Sequence, residues 1–174
     1  MLKLTKISLI LVLAVLVAGV ALAERGDDSG RKSKNGHAEG TIDGVNVVVD
    51  YGRPSANGRD IWGGLVPLGK VWRTGADEAT TITFDKDVTV EGTKVPAGTY
   101  ALFTRPGEKE SSIIFNSVAE QWGAFDHKAD MDVATVNVAN AASEHVETFE
   151  ISVGDAAVTL SWAETSMSFA VAAD

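Results

Sequence analysis

The chain has 174 residues, no cysteine and a formal net charge of −9. The lack of cysteine excludes a disulfide framework, a thiol nucleophile and a lipid-modified cysteine anchor. The acidic balance gives a surface that repels phosphate backbones and anionic lipid heads, so nucleic acid is not an expected partner.

The first 23 residues have the pattern of a secretory signal peptide. Lys3 and Lys6 precede an almost wholly apolar run, and Ala21-Leu22-Ala23 places small residues where a signal peptidase reads them. A retained membrane anchor is the alternative, since the run approaches the ~18 residues of a spanning helix. Gly19 and the small-residue exit favour cleavage. We therefore expect export to the periplasm or outside the cell, with no membrane contact after cleavage.

The next segment, 24–41, reads ERGDDSGRKSKNGHAEGT and holds one alanine but no larger apolar residue. Such a segment buries too little surface to offset the entropy lost on ordering. We therefore expect a flexible linker over 24–41, with His37 as a solvated residue inside it.

From residue 42 the sequence alternates between apolar and polar residues with a period of two, which is typical of strands with one buried face. Alternating or short apolar runs begin near residues 45, 82, 88, 100, 112, 133, 148, 158 and 167. Turn residues separate several of them, notably Pro96-Ala97-Gly98, Gly154-Asp155 and Ala163-Glu164-Thr165.

About eight short strands predict an all-β fold, either an antiparallel β-sandwich or a jelly-roll-like barrel. We expect a single β domain over 42–174, with one long loop from 52 to 79. Ser117-Val118-Ala119-Glu120 has a capping-box pattern and Gly123 follows it, which predicts one short helical turn.

Four blocks of this sequence resemble one family of exported bacterial proteins, the domain-of-unknown-function family 2911. They are RPSANGRDIWGGLVPLGKVWRTGADEATTITF at 53–84, VEGTKVPAGTYALFTRPG at 90–107, IIFN at 113–116 and QWGAF at 121–125. The resemblance covers most of the chain after the signal peptide. It implies no activity, because the family's name records none.

The long loop concentrates cationic, acidic and indole side chains. Arg53, Arg59 and Arg73 flank its glycine-rich middle, and Trp72 and Glu78 lie near its end. One interpretation is structural: the three guanidinium groups pair with Asp50, Asp77 and Glu78 and hold the loop against the sheet.

The second interpretation of the loop is a ligand site, since long loops in compact domains are often functional. Arg53, Arg59, Trp72, Arg73 and Glu78 would then form a cationic pocket with an aromatic wall. We predict a non-catalytic module that binds a small anionic or carbohydrate ligand and needs no cofactor.

Two alternatives remain open. A hydrolase would use Glu78 as its acid or base with Arg73 beside it, although no G-x-S-x-G or comparable motif supports catalysis. A purely structural envelope protein would bind nothing.

A metal site is not predicted, although FDHKADMD at 125–132 brings one histidine and three aspartates together. The segment lacks the glycine and the distal glutamate of a calcium loop, and His-x-x-Asp is a weak zinc pattern. An acidic, solvated loop is the expected structure.

Overall fold

The computed structural model describes residues 25–174, so the expected signal peptide at 1–23 lies outside the described residues. Nine strands account for most of it: β1 Lys34–Ile42, β2 Val45–Arg53, β3 Thr80–Phe84, β4 Val88–Val90, β5 Thr93–Val95, β6 Gly98–Arg105, β7 Glu110–Asn116, β8 Asp132–Val153 and β9 Ala157–Ala173. Within residues 25–174 the one helical element is a 3-10 turn at Ala129–Met131. No helix of that part of the chain has the length and apolar character needed to span a bilayer.

The nine strands form one antiparallel sheet in the order β1-β2-β3-β6-β7-β8-β9-β4-β5. This confirms the all-β antiparallel prediction. The sheet is not closed into a barrel, because its two edge strands are not hydrogen-bonded to each other. The sheet instead folds over its own core, and the Tyr51 hydroxyl of β2 accepts from the Ile151 N–H of β8 at 3.0 Å. This cross-core bond is in keeping with the sandwich alternative.

The period-two pattern determines which face of each strand is buried. In β2, Val45, Val47, Val49 and Tyr51 are buried on one face. In contrast, β3 is buried on both faces. A second, small cluster of Ala79, Ala101, Phe103 and Ile114 lies outside the main core, with Val71 and Ala124 packed against it. Loop segments therefore cover the outer face of the central strands.

The last two strands are long and bent. Ala163 has a φ of +51°, and beyond it the chain turns back, so that the Thr159 and Ser168 hydroxyl oxygens lie 2.8 Å apart. The Gly154 N–H donates to Ala157 O in the turn between β8 and β9. The turn at Gly154-Asp155 falls where the sequence predicted it. The predicted loop at Ala163-Glu164-Thr165 is instead a bend within the single strand β9.

The expectation of a flexible linker over 24–41 is wrong for the part that the structure describes. Residues 34–42 form β1, which pairs with β2 from Lys34↔Arg53 to Ile42↔Val45. A Cβ on Gly36 would lie 2.6 Å from the Tyr51 ring, and one on Gly40 would lie 2.8 Å from Val153. The missing side chains therefore permit close backbone approach, and backbone hydrogen bonds stabilise a strand that has few apolar residues.

The predicted helical turn at 117–120 is also absent there. The Ser117 hydroxyl donates to Met131 O instead of capping its own turn. Asn116 Oδ1 accepts from the Val118 N–H, an Asx-turn contact that competes with helix formation. The short 3-10 helix forms at 129–131 instead, just before β8.

Candidate functional site

The loop between β2 and β3 is held by backbone and hydroxyl contacts. Trp72 and Thr104 of β6 exchange two backbone hydrogen bonds of 2.8 and 2.9 Å. The buried Thr74 shares a 2.9 Å hydroxyl bond with Thr104, and the Thr80 hydroxyl donates to Thr74 O. Arg53, Arg59 and Arg73 form no salt bridge within residues 25–174. The interpretation that they hold the loop against the sheet through acidic partners is therefore wrong.

Three of the four tryptophans pack together, two from this loop and one from β9. Trp72 stacks on Trp162 with ring centroids 5.8 Å apart, and Trp62 meets both rings edge to face. Phe149 completes the cluster 5.2 Å from Trp72. Trp72 is 9% exposed, so it is mainly a core residue that presents only an edge to solvent.

A cleft of about 670 Å³ opens beside that edge, and we call it the arginine cleft. It is lined by Lys32, Ser33, Pro54, Ser55, Asn57, Arg59, Leu65, Val66, Trp72, Arg73, Gly75, Ala76, Asp77 and Trp162. Of the five predicted ligand-binding residues, the structure brings Arg59, Trp72 and Arg73 together here. Arg53 and Glu78 do not line this cleft.

Arg73 is the most unusual group in the arginine cleft. Its Nε is buried and has no hydrogen-bond partner among the described residues. Burial lowers the pKa of Arg73, and the charge of nearby Asp77 only partly opposes this shift. Arg73 nevertheless forms no salt bridge within residues 25–174, so its positive charge is left without a direct counterion there.

The other two arginines of the prediction have different positions. Arg59 is exposed and braces its own turn, donating from Nε to Ala56 O at 2.9 Å and from Nη2 to Ser55 O at 2.6 Å. Arg53 has a buried Nε that lacks a partner in the described part of the chain. It belongs to the end of β2 and is separate from the arginine cleft.

Glu78 pairs with arginines that sequence reasoning had assigned to the linker. Its carboxylate accepts from Arg31 at 2.5 and 2.7 Å and from Arg25 Nη2 at 3.0 Å. The hydrogen bonds from Arg31 are the main cause of the lowered pKa of Glu78. The predicted partnership of Glu78 with Arg73 is therefore wrong. Nothing in the sequence marked Arg25 and Arg31 as partners, because 47 or more residues separate them from Glu78.

Glu78 lines a second cleft, of about 460 Å³, which we call the Trp122 cleft. It is lined by Arg25, Gly26, Glu78, Ala79, Thr81, Ala119, Glu120, Gln121 and Trp122. Asp77 lies at a bend with a φ of +62°, and Asp77 and Glu78 line different clefts. These two carboxylates are therefore not placed to act on one bond.

The histidines of the domain pair with carboxylates. His127 Nε2 lies 2.9 Å from Asp132, and its ring packs edge to face on Phe103. His145 contacts Glu164 and Glu147 at 2.7 and 3.3 Å, and these contacts raise its pKa. In the part of the chain that the structure describes, no three histidine or acidic side chains converge as a metal site would require.

The comparisons with known proteins identify a family but no activity. Neither the curated proteins nor the solved structures gave a match. One family model, Protein of unknown function (DUF2911), matches residues 33–171, which include the long loop and all nine strands except the last two residues of β9. The chain therefore belongs to this family.

Proposed function

We propose that the protein is an exported, non-catalytic binding module whose arginine cleft holds a small ligand through an anionic group. The anionic group is a carboxylate, phosphate or sulfate. The observation that carries the proposal is the guanidinium of Arg73, which is partly buried, lacks a salt bridge among the described residues and lines an open cleft.

The physical argument rests on the cost of burying a charge. Desolvating a cation without a counterion is unfavourable, and a bound anion would remove that penalty. A planar guanidinium also binds a carboxylate or phosphate in a fork-like, bidentate geometry. Arg73 therefore has more to gain from a ligand than an arginine that already has an acidic partner.

The rest of the arginine cleft suits a small molecule with one anionic end. Lys32 and Arg59 add positive charge, while Leu65, Val66 and the edge of Trp72 supply an apolar wall. A volume of about 670 Å³ lies within the range typical of small-molecule sites. The protein carries a net charge of −9, so this positive cleft is a local feature of an acidic molecule.

We propose export because residues 1–23 have the pattern of a signal peptide. We propose that the protein is not a catalyst because the Glu78 carboxylate is held in its ionised form. Two guanidinium groups engage the Glu78 carboxylate and lower its pKa, which makes it a poor proton donor near neutral pH. The hydrolase alternative needed Arg73 beside Glu78, and these residues line different clefts.

A thermal-shift and calorimetric screen tests the proposal with phosphate, sulfate, citrate, succinate and glucose 6-phosphate as probes. A ligand at about 100 times its Kd stabilises the native state by about 2.7 kcal/mol. We expect at least one probe to raise the Tm of the wild-type protein and to lose this effect in Arg73→Gln.

Two matched variants serve as controls. Arg105→Gln removes an exposed arginine that lines neither cleft, and Arg53→Gln removes the predicted site residue that lies elsewhere. Both should bind the anion as the wild type does. Equal shifts in wild type and Arg73→Gln, or no shift with any of these anions, would reject the proposal.

A further inference from the structure

Trp122 differs from the other tryptophans of the domain. Trp62, Trp72 and Trp162 pack against one another, whereas Trp122 is 58% exposed and lines the Trp122 cleft. A large aromatic ring that is left in solvent beside a cleft is a common element of binding surfaces, because it offers apolar area at a small entropic cost.

The segment that carries Trp122 is fixed to the long loop by backbone contacts. The Ala79 N–H donates to Gln121 O at 3.0 Å, and the Gly123 N–H donates to Asp77 O at 3.1 Å. Glu78 and Trp122 form the bridge between these two bonds. The indole is therefore attached to a braced turn, and a ligand that stacks on it has little backbone left to order.

The side chain of Gln121 adds a further brace. Its Nε2 donates to Val118 O at 2.7 Å and to Asn116 Oδ1 at 3.2 Å. Gly123 follows Trp122 with a φ of +66°, which a glycine adopts without strain. The Trp122 cleft is thus preformed on the side that presents the indole.

Polar groups surround this indole without a strong net charge. The Thr81 hydroxyl forms no hydrogen bond within residues 25–174 and lines the cleft. Glu120 is exposed at the rim. Glu78 is compensated by Arg25 and Arg31, so it offers oxygen acceptors while its charge is largely balanced.

We propose that the Trp122 cleft binds a neutral carbohydrate, as a second site separate from the arginine cleft. A sugar ring has an apolar C–H face that stacks on an indole and hydroxyl groups that both donate and accept hydrogen bonds. The Thr81 hydroxyl in the wall of the cleft and the carboxylate oxygens of Glu78 and Glu120 supply complementary partners. The negative charge of Glu120 disfavours an anionic ligand. A cationic ligand would need a free carboxylate, and Arg25 and Arg31 already compensate the charge of Glu78.

The two sites have different chemistry and lie on opposite sides of the Asp77–Glu78 segment. The arginine cleft has three cationic side chains and one carboxylate, whereas the Trp122 cleft has one arginine that is already committed to Glu78 and to backbone carbonyls. Loss of one site therefore does not imply loss of the other.

The experiment is an array of neutral and anionic glycans probed with the purified protein, followed by calorimetric titration of each neutral glycan that binds. We expect saturable binding of a neutral glycan by the wild type. Trp122→Ala should weaken it by more than about tenfold, because the stacking surface is lost. Thr81→Val keeps the shape of the side chain and should weaken binding by about three- to tenfold through loss of one hydroxyl contact.

Phe125→Ala is the matched control, since Phe125 is 86% exposed, lies three residues from Trp122 and lines neither cleft. It should bind the glycan as the wild type does, and so should Arg73→Gln. Circular dichroism of each variant verifies that it is folded.

Three outcomes would overturn the inference. The first is that no neutral glycan binds, or that only anionic glycans bind and do so through Arg73. The second is that Trp122→Ala binds as tightly as the wild type. The third is that Phe125→Ala and Trp122→Ala lose glycan binding equally, since this would indicate a general apolar contact surface.

Discussion

Arg31 and Glu78 form a bidentate ion pair, with N–O distances of 2.5 and 2.7 Å, across 47 residues of sequence. The pair joins the segment before β1 to the end of the long loop. That segment also contributes Lys32 to the arginine cleft and Arg25 to the Trp122 cleft. Since the family match begins at residue 33, Arg25, Arg31 and Lys32 lie outside it, and two of them, Lys32 and Arg25, still line the candidate sites.

Arg25→Met is expected to destabilise the fold by about 2–3 kcal/mol. The Arg25 side chain is 7% exposed and donates to Ala76 O at 2.7 Å and to Glu78. Removing it leaves backbone carbonyls of the loop without their donor. Urea unfolding of wild type and variant measures the change, and Arg105→Met, at an exposed position, is the control. Equal stability of all three proteins would show that the Arg25 contacts add nothing.

Glu78→Gln is expected to lower stability at pH 7 by about 1 kcal/mol, because solvent screens a carboxylate that is 31% exposed. The pKa of Glu78 is lowered from its ordinary value of 4.5, chiefly by Arg31. A lowered carboxyl pKa stabilises the fold above pH 4.5, and this contribution disappears as the pH falls through the folded-state value. The unfolding curves of wild type and Glu78→Gln should therefore differ at pH 7 and converge in acid. A difference that grows in acid would contradict this assignment.

Arg73→Met is expected to leave the unfolding free energy unchanged or to raise it by up to about 1 kcal/mol. The substitution removes a partly buried cation that has no salt bridge in the described part of the chain. Arg25→Met is the matched comparison, because the same replacement at a paired arginine should destabilise. Denaturant titration of both variants checks this contrast. A clear loss of stability in Arg73→Met, together with no anion binding by either the wild type or the variant, would favour the purely structural envelope protein.

Gly52→Ala is expected to destabilise the protein by about 1–3 kcal/mol through overpacking. A Cβ at Gly52 would lie 2.3 Å from Ala76 O, so the loop that carries Arg73 and Asp77 would have to shift. Anion binding at the arginine cleft should weaken in the same variant. Gly30→Ala is the control, since a Cβ there meets nothing within 4 Å. Thermal unfolding and calorimetric titration measure the two effects, and a Gly52→Ala protein with wild-type values would contradict the close approach.

Local periodicity was sufficient to predict most strands. The alternation of Val45, Val47 and Val49 reports burial of one face directly, and Gly154-Asp155 reports the turn between β8 and β9 through its position between two such runs. These features depend on neighbours a few residues away. The resemblance of residues 53–84 to one family was also visible in the sequence, and the family match confirms it.

Hydrophobicity could not predict the polar strand β1. The backbone of β1 pairs with β2. Neighbouring side chains lie so close to Gly36 and Gly40 that a Cβ would clash with them, and composition does not reveal such contacts. A polar, glycine-containing segment resembles a linker until its hydrogen-bonding partner is known.

The charges of the long loop were visible from sequence, but their partners were determined by the tertiary structure. Coulombic and hydrogen-bond energies depend on distances between atoms, and those distances are set by how the chain folds back on itself. Folding brings Arg31 to Glu78 and leaves Arg73 without a salt bridge among the described residues, although Arg73 is only five positions from Glu78. The sequence by itself determined the sheet-forming pattern and the family, whereas only the folded chain decided which arginine is free to meet a ligand.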